Sequence, residues 1–281
     1  MEQAKVQNLA LTAARSRLLA LDMVYGAASG HIGGSLSSLD ILITLYFHVM
    51  RVNPDAPQAP ERDRFVLSKG HCTPALYSTL AQRGFFPLEE LKQFRRIEGH
   101  MSGHAEMRHV KGVDMSTGSL GQGISAAVGM ALAGKADGRD YRVYALLGDG
   151  EIEEGQVWEA AMAAAKYRLD NLCAVVDVNG LQIDGATADV MPSEPLDQKF
   201  EAFNWNVIRV DGHDYAALAE AFAAAAACKG KPTVLLARTV KGKGVSFMEG
   251  DYGWHGKAPN AEQYEKARAE LAARVAELEG K

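Results

Sequence analysis

Cysteine is scarce in this 281-residue chain: Cys72, Cys173 and Cys228 stand singly, with no CxxC and in odd number. That usage excludes a disulfide framework. It fits thiols packed as small apolar groups in a reducing compartment, so a cytoplasmic location is expected. Positive charge shows no excess: 30 Lys+Arg stand against 35 Asp+Glu, for a formal charge of −5. Proteins that bind nucleic acid or anionic membranes in general carry a basic surplus, so neither partner is expected, although an anionic small molecule needs only a local cluster of cations. Long apolar runs are also missing. No stretch approaches the ~18 uncharged apolar residues of a membrane span, and the N-terminal segment MEQAKVQNLALTAARSRLLALD mixes charge into its apolar positions. Neither a span nor a secretory leader is expected. HExxH, Cys/His zinc spacings and GxxxxGK[ST] are absent, which disfavours zinc chemistry and a P-loop nucleotide site.

What remains is a chain long enough to bury roughly 75% of its unfolded surface without disulfide or structural metal. Residues 1–113 read as helices and loops. Apolar positions recur at helical period over Leu9–Val24, glycines 26, 30, 33 and 34 break the pattern, and Leu36–Val49 reads as a second, mostly buried helix. Asn53–Pro60 is a surface connection, followed by the apolar run Phe65-Val66-Leu67 and a helix over Thr73–Gln82. From about residue 114 helix and strand alternate. Helices are expected over Leu120–Gly134, Val157–Tyr167, Lys199–Phe203 and Tyr215–Cys228, and strands over Arg142–Leu147, Leu172–Val178, Trp205–Val210 and Thr233–Thr239. The order implies an α/β fold, a mainly parallel sheet covered by helices on both faces. Residues 261–281 close the chain with a charged amphipathic helix. Without a linker or repeat, residues 1–281 read as one domain with a βα core over 114–260.

Three constellations carry chemistry. Gly148-Asp149-Gly150 ends one strand, and Asn179-Gly180-Leu181 ends the next, 30 residues on. One βαβ unit has that length, so Asp149 and Asn179 belong on neighbouring carboxyl-terminal strand ends, where open parallel sheets bind ligands. Each motif alone reads equally as a glycine-rich turn. Paired, a carboxylate, an amide oxygen and a loop carbonyl make a hard oxygen set for Mg²⁺ or Ca²⁺ beside a diphosphate, which the backbone of Gly150 can approach closely. Gly118-Ser119-Leu120-Gly121-Gln122-Gly123 runs into a helix, where backbone N–H groups can meet an anion or a flat ring; close packing explains it equally well. Finally, His31, His71, His104 and His255 all lie beside glycines in loops. Four such imidazoles suggest a pocket that handles anions and moves protons. His48, between Phe47 and Val49, reads as structural.

The stretches SGHIGG (29–34), RDRFVLSKGH (62–71), GSLGQG (118–123), GDGEIEEGQVWEA (148–160), NGLQIDG (179–185) and KGKGVSFMEGDYGWHGKAP (241–259) resemble, in order, the N-terminal diphosphate-binding domain of transketolase. The resemblance covers nearly the whole chain. It implies thiamine diphosphate as cofactor, with Mg²⁺ or Ca²⁺ held by Asp149, Asn179 and the Leu181 carbonyl. It implies that His71 and the Gly150 backbone contact the diphosphate and that Gly118, Ser119 and Leu120 lie along the cofactor, with Asn179 and His255 also beside it. It assigns His31, His104 and His255 to substrate hydroxyls and proton transfers. Glu154 matches a glutamate of the family's acidic network at the subunit interface.

A full transketolase continues into a pyrimidine-binding domain and a third domain, which this sequence lacks. The resemblance is therefore to the smaller chain of a split, two-gene transketolase, acting on sugar phosphates. Its expected partner is a C-terminal transketolase subunit, in an α2β2 assembly. Ile32 departs from the proline many members carry, which loosens the link to pentose phosphates. Three alternatives stand beside this reading: the α subunit of a 2-oxo acid dehydrogenase, a split transketolase for an unusual sugar phosphate or sulfonated sugar, and a non-catalytic scaffold. The glycine-flanked histidines favour sugar handling over the first, and the intact Asp149, Asn179 and histidines argue against the last.

Overall fold

Residues 1–280 are described by a computed structural model. Two helices open it, α1 (Gln3–Ala27) and α2 (Ile32–Thr44), the second running into a π-helical turn at Leu45–Val49. Strand β1 (Arg64–Leu67) and helix α3 (Thr73–Arg83) follow, then α4 (Gln122–Ala136), β2 (Val143–Gly148), α5 (Gly155–Lys166) and β3 (Leu172–Val178). A small hairpin, β4 (Leu181–Gln182) and β5 (Gly185–Ala186), leads through α6 (Thr187–Val190) and α7 (Leu196–Ala202) to β6 (Asn206–Asp211). Helix α8 (Tyr215–Ala227), β7 (Thr233–Arg238) and α9 (Ala261–Leu278) complete the order. The main sheet is parallel throughout, in the order β1-β2-β3-β7-β6.

Side-chain alternation decides which helices cover which face. Tyr144, Leu146, Cys173, Val175, Leu235 and Ala237 point to one side and pack with residues of α1, α2, α3, α8 and α9. Their neighbours Val143, Ala145, Leu147, Leu172, Ala174, Val176, Val234 and Leu236 point to the other and pack with α4, α5 and α7. Strands buried on both faces read as continuous apolar runs, as these do. Helix ends are marked locally. Asp214 accepts from the Ala216 and Ala217 N–H groups at the start of α8, and Asn260 with Gln263 forms a capping box on α9.

The structure corrects two sequence expectations. Segment 1–113 is not all helix and loop, because β1 pairs with β2 at the sheet edge. Gly33 and Gly34 do not break a helix; they sit in the first turn of α2, which begins at Ile32. Their purpose is close approach: a Cβ on Gly33 would lie 2.8 Å from the Trp254 carbonyl oxygen and 3.0 Å from Lys241 Cγ. The segment Ile32–Val49 has a mean hydropathy of 1.3 over 18 residues, long and apolar enough to cross a membrane by length and composition, yet it is the mostly buried helix the sequence leads one to expect. It holds Asp40, and 83% of it is buried inside the domain, as befits a core helix.

Candidate functional site

At the carboxyl edge of the sheet, register brings the loops together. Gly148 lies opposite Asp177, so the turns after β2 and β3 leave the sheet side by side. The β1 loop joins them, as do the β7 loop, the start of α2 and the segment before α4. Together they enclose a cavity of about 230 Å³ lined by His31, His71, His104, His255, Asp149, Asn179, Leu181, Gly118, Leu120, Gly150, Lys69, Lys241 and Glu151, among others. Glycine permits the close contact. A Cβ on Gly70 would lie 2.6 Å from the Thr117 carbonyl carbon, and one on Gly123 2.6 Å from Ser68 Cα. A larger cleft of about 1020 Å³ opens at the ends of β3, β7 and β6, but it contains none of the four clustered histidines.

The oxygen donors are held by backbone N–H groups. Gly180 N–H donates to Asp149 Oδ2 (2.5 Å), and Leu181 N–H donates to Asn179 Oδ1 (3.1 Å). Gly150 N–H donates to Asp149 Oδ1 (2.9 Å), so it is engaged rather than free. Burial, followed by the Asp177 charge, pushes the Asp149 carboxyl up to about 6. A carboxylate so placed gains from a cation, and Asp149 with Asn179 is the hard donor set that Mg²⁺ or Ca²⁺ takes. His31 Nδ1, on the same cavity, is buried without a hydrogen-bond partner. The residues present therefore fit a metal–diphosphate group.

Beneath these donors lies a buried ion pair. Lys69 Nζ is 2.5 Å from Asp177 Oδ2, with both side chains almost wholly enclosed, and also donates to the Gly34 carbonyl. Ser37, Ser38 and Thr239 hydroxyls donate to the same carboxylate. Burial alone would push the Asp177 carboxyl up; the Lys69 charge and these hydrogen bonds hold it below the ordinary range. Glu151 ties three loops at one carboxylate, accepting from Ser68 Oγ (2.5 Å), Gly121 N–H (3.0 Å) and Gly148 N–H (3.1 Å). Burial raises its carboxyl.

His31 is the centre of the imidazole cluster. Its ring centroid lies 5.0 Å from that of His71, 5.4 Å from His255 and 6.0 Å from His104, and His71 and His255 are 5.1 Å apart. Burial, then Arg95, His104 and Lys241, lower His31 to about 4; burial, then Lys241, His31 and Lys69, lower His255 to about 3. His71 falls well below its ordinary value and His104 is lowered, both chiefly by burial. At neutral pH the ligand-free cluster is uncharged.

That neutrality has a measurable cost in acid. His31 and His255 take up protons near 6.5 when unfolded and near 4 and 3 when folded. Between 6.5 and about 4 the unfolded chain binds more protons at these sites, so they lower stability as pH falls. Asp149 acts in the opposite direction over much of this window, so the informative quantity is a difference. The melting temperature of H31Q/H255Q should decline less between pH 7 and 4 than that of the wild type; parallel declines would show that the imidazoles are not held neutral.

Of the sequence-predicted residues, His31, His71, His104, Gly118, Leu120, Asp149, Gly150, Asn179, Leu181 and His255 meet at this cavity. Two do not. Ser119 is exposed and lines an adjoining hollow of about 330 Å³, which shares His104 and Gly118. Glu154 is exposed at the start of α5. His48 sits on the surface in the π-helical turn. Sequence reasoning assigned no role to Lys69, Lys241, Glu151 or Asp177. A signal existed for Asp177: one acid in the apolar strand LCAVVDV requires a buried partner.

Known proteins are similar to this chain in sequence and in fold. Residues 8–277 match the family described as "Transketolase, thiamine diphosphate binding domain". The chain is 45% identical over 275 residues to one of the subunits of the apulose-4-phosphate transketolase of Phocaeicola vulgatus, covering 98% of each. It is 48% identical over 255 residues to the 6-deoxy-6-sulfo-D-fructose transketolase subunit SqwG of Clostridium sp., covering 91% of this chain and 93% of that one. Human transketolase is 43% identical over 257 residues, 91% of this chain but 41% of its own length. The crystal structure of transketolase from Campylobacter jejuni superposes with a TM-score of 0.88 at 34% identity, covering 99% of this chain and 46% of that one. The chain thus spans nearly all of the two subunit relatives and less than half of the longer transketolases.

Proposed function

This chain belongs to the transketolase family, whose thiamine diphosphate binding domain it matches over residues 8–277, and on that premise we propose that it is the diphosphate-binding subunit of a two-chain transketolase. The observation that carries the proposal is the meeting of the Asp149 and Asn179 oxygen donors with four imidazoles on one cavity. Asp149, Asn179 and the Leu181 carbonyl would hold Mg²⁺ or Ca²⁺, and His71 with the buried Lys241 would face the diphosphate. Thiamine diphosphate, when bound, supplies the nucleophilic carbon and electron sink for moving a two-carbon ketol unit from a ketose phosphate to an aldose phosphate.

The chain's own part is binding, orientation and proton handling. His31, His104 and His255 are neutral in the free site, so each ring has one nitrogen that donates and one that accepts. Such rings can hydrogen-bond sugar hydroxyls from either side and pass a proton between Nδ1 and Nε2 of neighbouring rings and a substrate oxygen. Lys241 Nζ, 3.3 Å from His255 Nδ1, places a donor behind that ring. Burial, then the Lys69 charge, lowers the Lys241 ammonium from its ordinary value, so an incoming anion would restore it. The family match sets aside the 2-oxo acid dehydrogenase reading.

The subunit relatives are named for apulose 4-phosphate and for a sulfonated fructose. We therefore place the substrate among unusual phosphorylated or sulfonated ketoses in the cytoplasm, with pentose phosphates as the second reading. The partner would be a C-terminal subunit carrying the pyrimidine-binding domain, in an α2β2 assembly. Ketol transfer from apulose 4-phosphate, 6-deoxy-6-sulfofructose and xylulose 5-phosphate should be assayed with and without that partner, in Mg²⁺ and thiamine diphosphate. Turnover is expected only in the mixture; activity of this chain alone, or none in the mixture, would overturn the two-chain reading.

A further inference from the structure

Outside the cavity lies a charged network that the function above does not use. Arg17 of α1 forms a bidentate pair with Asp40 of α2, Nη1 to Oδ1 at 3.0 Å and Nη2 to Oδ2 at 2.6 Å, and both are buried. Tyr215 also donates its hydroxyl to Asp40. His213 Nδ1 lies 2.7 Å from Asp40 Oδ2, and Val240 N–H lies 2.9 Å from His213 Nε2. A backbone N–H only donates, so Nε2 must accept, and the ring proton sits on Nδ1 and goes to Asp40. Arg17 has a further contact: its Nε donates to the Lys243 carbonyl (3.1 Å).

These contacts converge on one short segment beyond β7. Thr239 is tied to Asp177 through its hydroxyl, Val240 N–H to His213, and Lys243 O to Arg17. Lys241 stands between them, 3% exposed, on the wall of the histidine cavity. Arg17, Asp40 and His213 also border a cavity of about 400 Å³, together with Lys243. A buried ion pair is by itself weak support for stability, and its best-attested use is to specify one arrangement.

We propose that Arg17, Asp40 and His213 form a positioning relay that fixes the Val240–Lys243 backbone and so holds Lys241 in the cavity. The relay acts through Lys241 and touches no reacting atom. His213→Asn keeps a donor near the Nδ1 position for Asp40 but removes the acceptor from Val240 N–H. His213→Gln reaches the Nε2 position with its amide oxygen and keeps that acceptor.

The test is acylation of lysine amines in the full chain, read site by site by mass spectrometry. In H213N, Lys241 should react about tenfold faster, as local opening by one turn of loop would allow, while the exposed Lys5 and Lys92 keep their rates. H213Q should restore the wild-type rate at Lys241. An unchanged Lys241 rate in H213N, a uniform rise at every lysine, or a glutamine variant as reactive as the asparagine one would overturn the relay. Should H213N not fold, Arg17→Lys takes its place: it keeps charge against Asp40, loses the Nε bond to Lys243 O, and should expose Lys241 in the same selective way.

The consequence for cofactor rests on the functional reading above and is tested separately, by calorimetry with thiamine diphosphate and Mg²⁺. K241A and the K241A/H213N double variant should lose the same affinity if, as proposed, the relay reaches the ligand through Lys241. Additive losses would overturn it. A wild-type chain that binds no thiamine diphosphate would sink the functional reading, and the labelling result would still decide the relay.

Discussion

Asp149→Asn should bind thiamine diphosphate with Mg²⁺ at least ~100-fold more weakly than the wild type, the scale expected when a metal ligand loses its charge. The same variant should be as stable as the wild type or more so at pH 7 in the absence of ligand. The reason lies in the environment of the carboxylate. It is 3% exposed and pushed up to about 6, first by burial and then by the Asp177 charge. A group whose folded value lies above its unfolded value of 3.8 contributes stability below the unfolded value and loses it as pH rises through about 6. At pH 7 the ionised Asp149 therefore works against folding by roughly 1–3 kcal/mol. Asparagine removes that charge and retains an oxygen for one of the two N–H groups, Gly180 or Gly150, from which Asp149 accepts. Calorimetry and melting curves at pH 7 check both halves. Retained affinity would sink Asp149 as a metal ligand, and a lower melting temperature would show that the carboxylate stabilises the empty site.

The second large effect is on folding. Lys69→Ala should cost about 3–5 kcal/mol, because it strands a carboxylate that is wholly enclosed. For a domain of this size that is a fall in melting temperature of roughly 6–20 °C. Ser37, Ser38 and Thr239 hydroxyls still donate to Asp177 in the variant, and they set the lower end of the range. The double variant Lys69→Met with Asp177→Asn should recover most of the loss, since neither partner is then left charged in the interior. A Lys69→Ala chain that melts with the wild type would mean that water reaches Asp177. Cofactor affinity should fall with Lys69→Ala as well, because Lys69 itself lines the cavity.

Both results turn on residues that differ in how visible they are in the sequence. Asp149 and Asn179 were legible as a pair because both end apolar strands one crossover apart, and a parallel sheet turns that spacing into adjacency. The histidines were legible for a different reason: imidazoles beside glycines in loops have no packing task that requires them. Lys69 and Asp177 were not legible as partners. They are 108 residues apart, and nothing local in SKGH or LCAVVDV says which buried charge each will meet. Glu151 was hidden among the acids of GEIEEG, where solvated helix-start carboxylates and a buried tie between three loops look alike. Gly33 and Gly34 were misread because a glycine that admits a neighbouring chain and one that ends a helix are the same letter.

The amino-acid sequence by itself determined the elements, their order and the chemistry at the strand ends. Apolar runs, small-residue helices and glycine-flanked polar groups are local patterns, and local sterics and hydrogen bonding convert them directly into strands, helices and exposed turns. Only the tertiary structure decided that β1 joins the sheet, that Gly33 and Gly34 lie inside α2, that Lys69 meets Asp177, and that Arg17, Asp40 and His213 reach the segment carrying Lys241. Those are pairings across long sequence separations. Burial sets them, by forcing each enclosed charge or N–H to find a partner wherever packing places one.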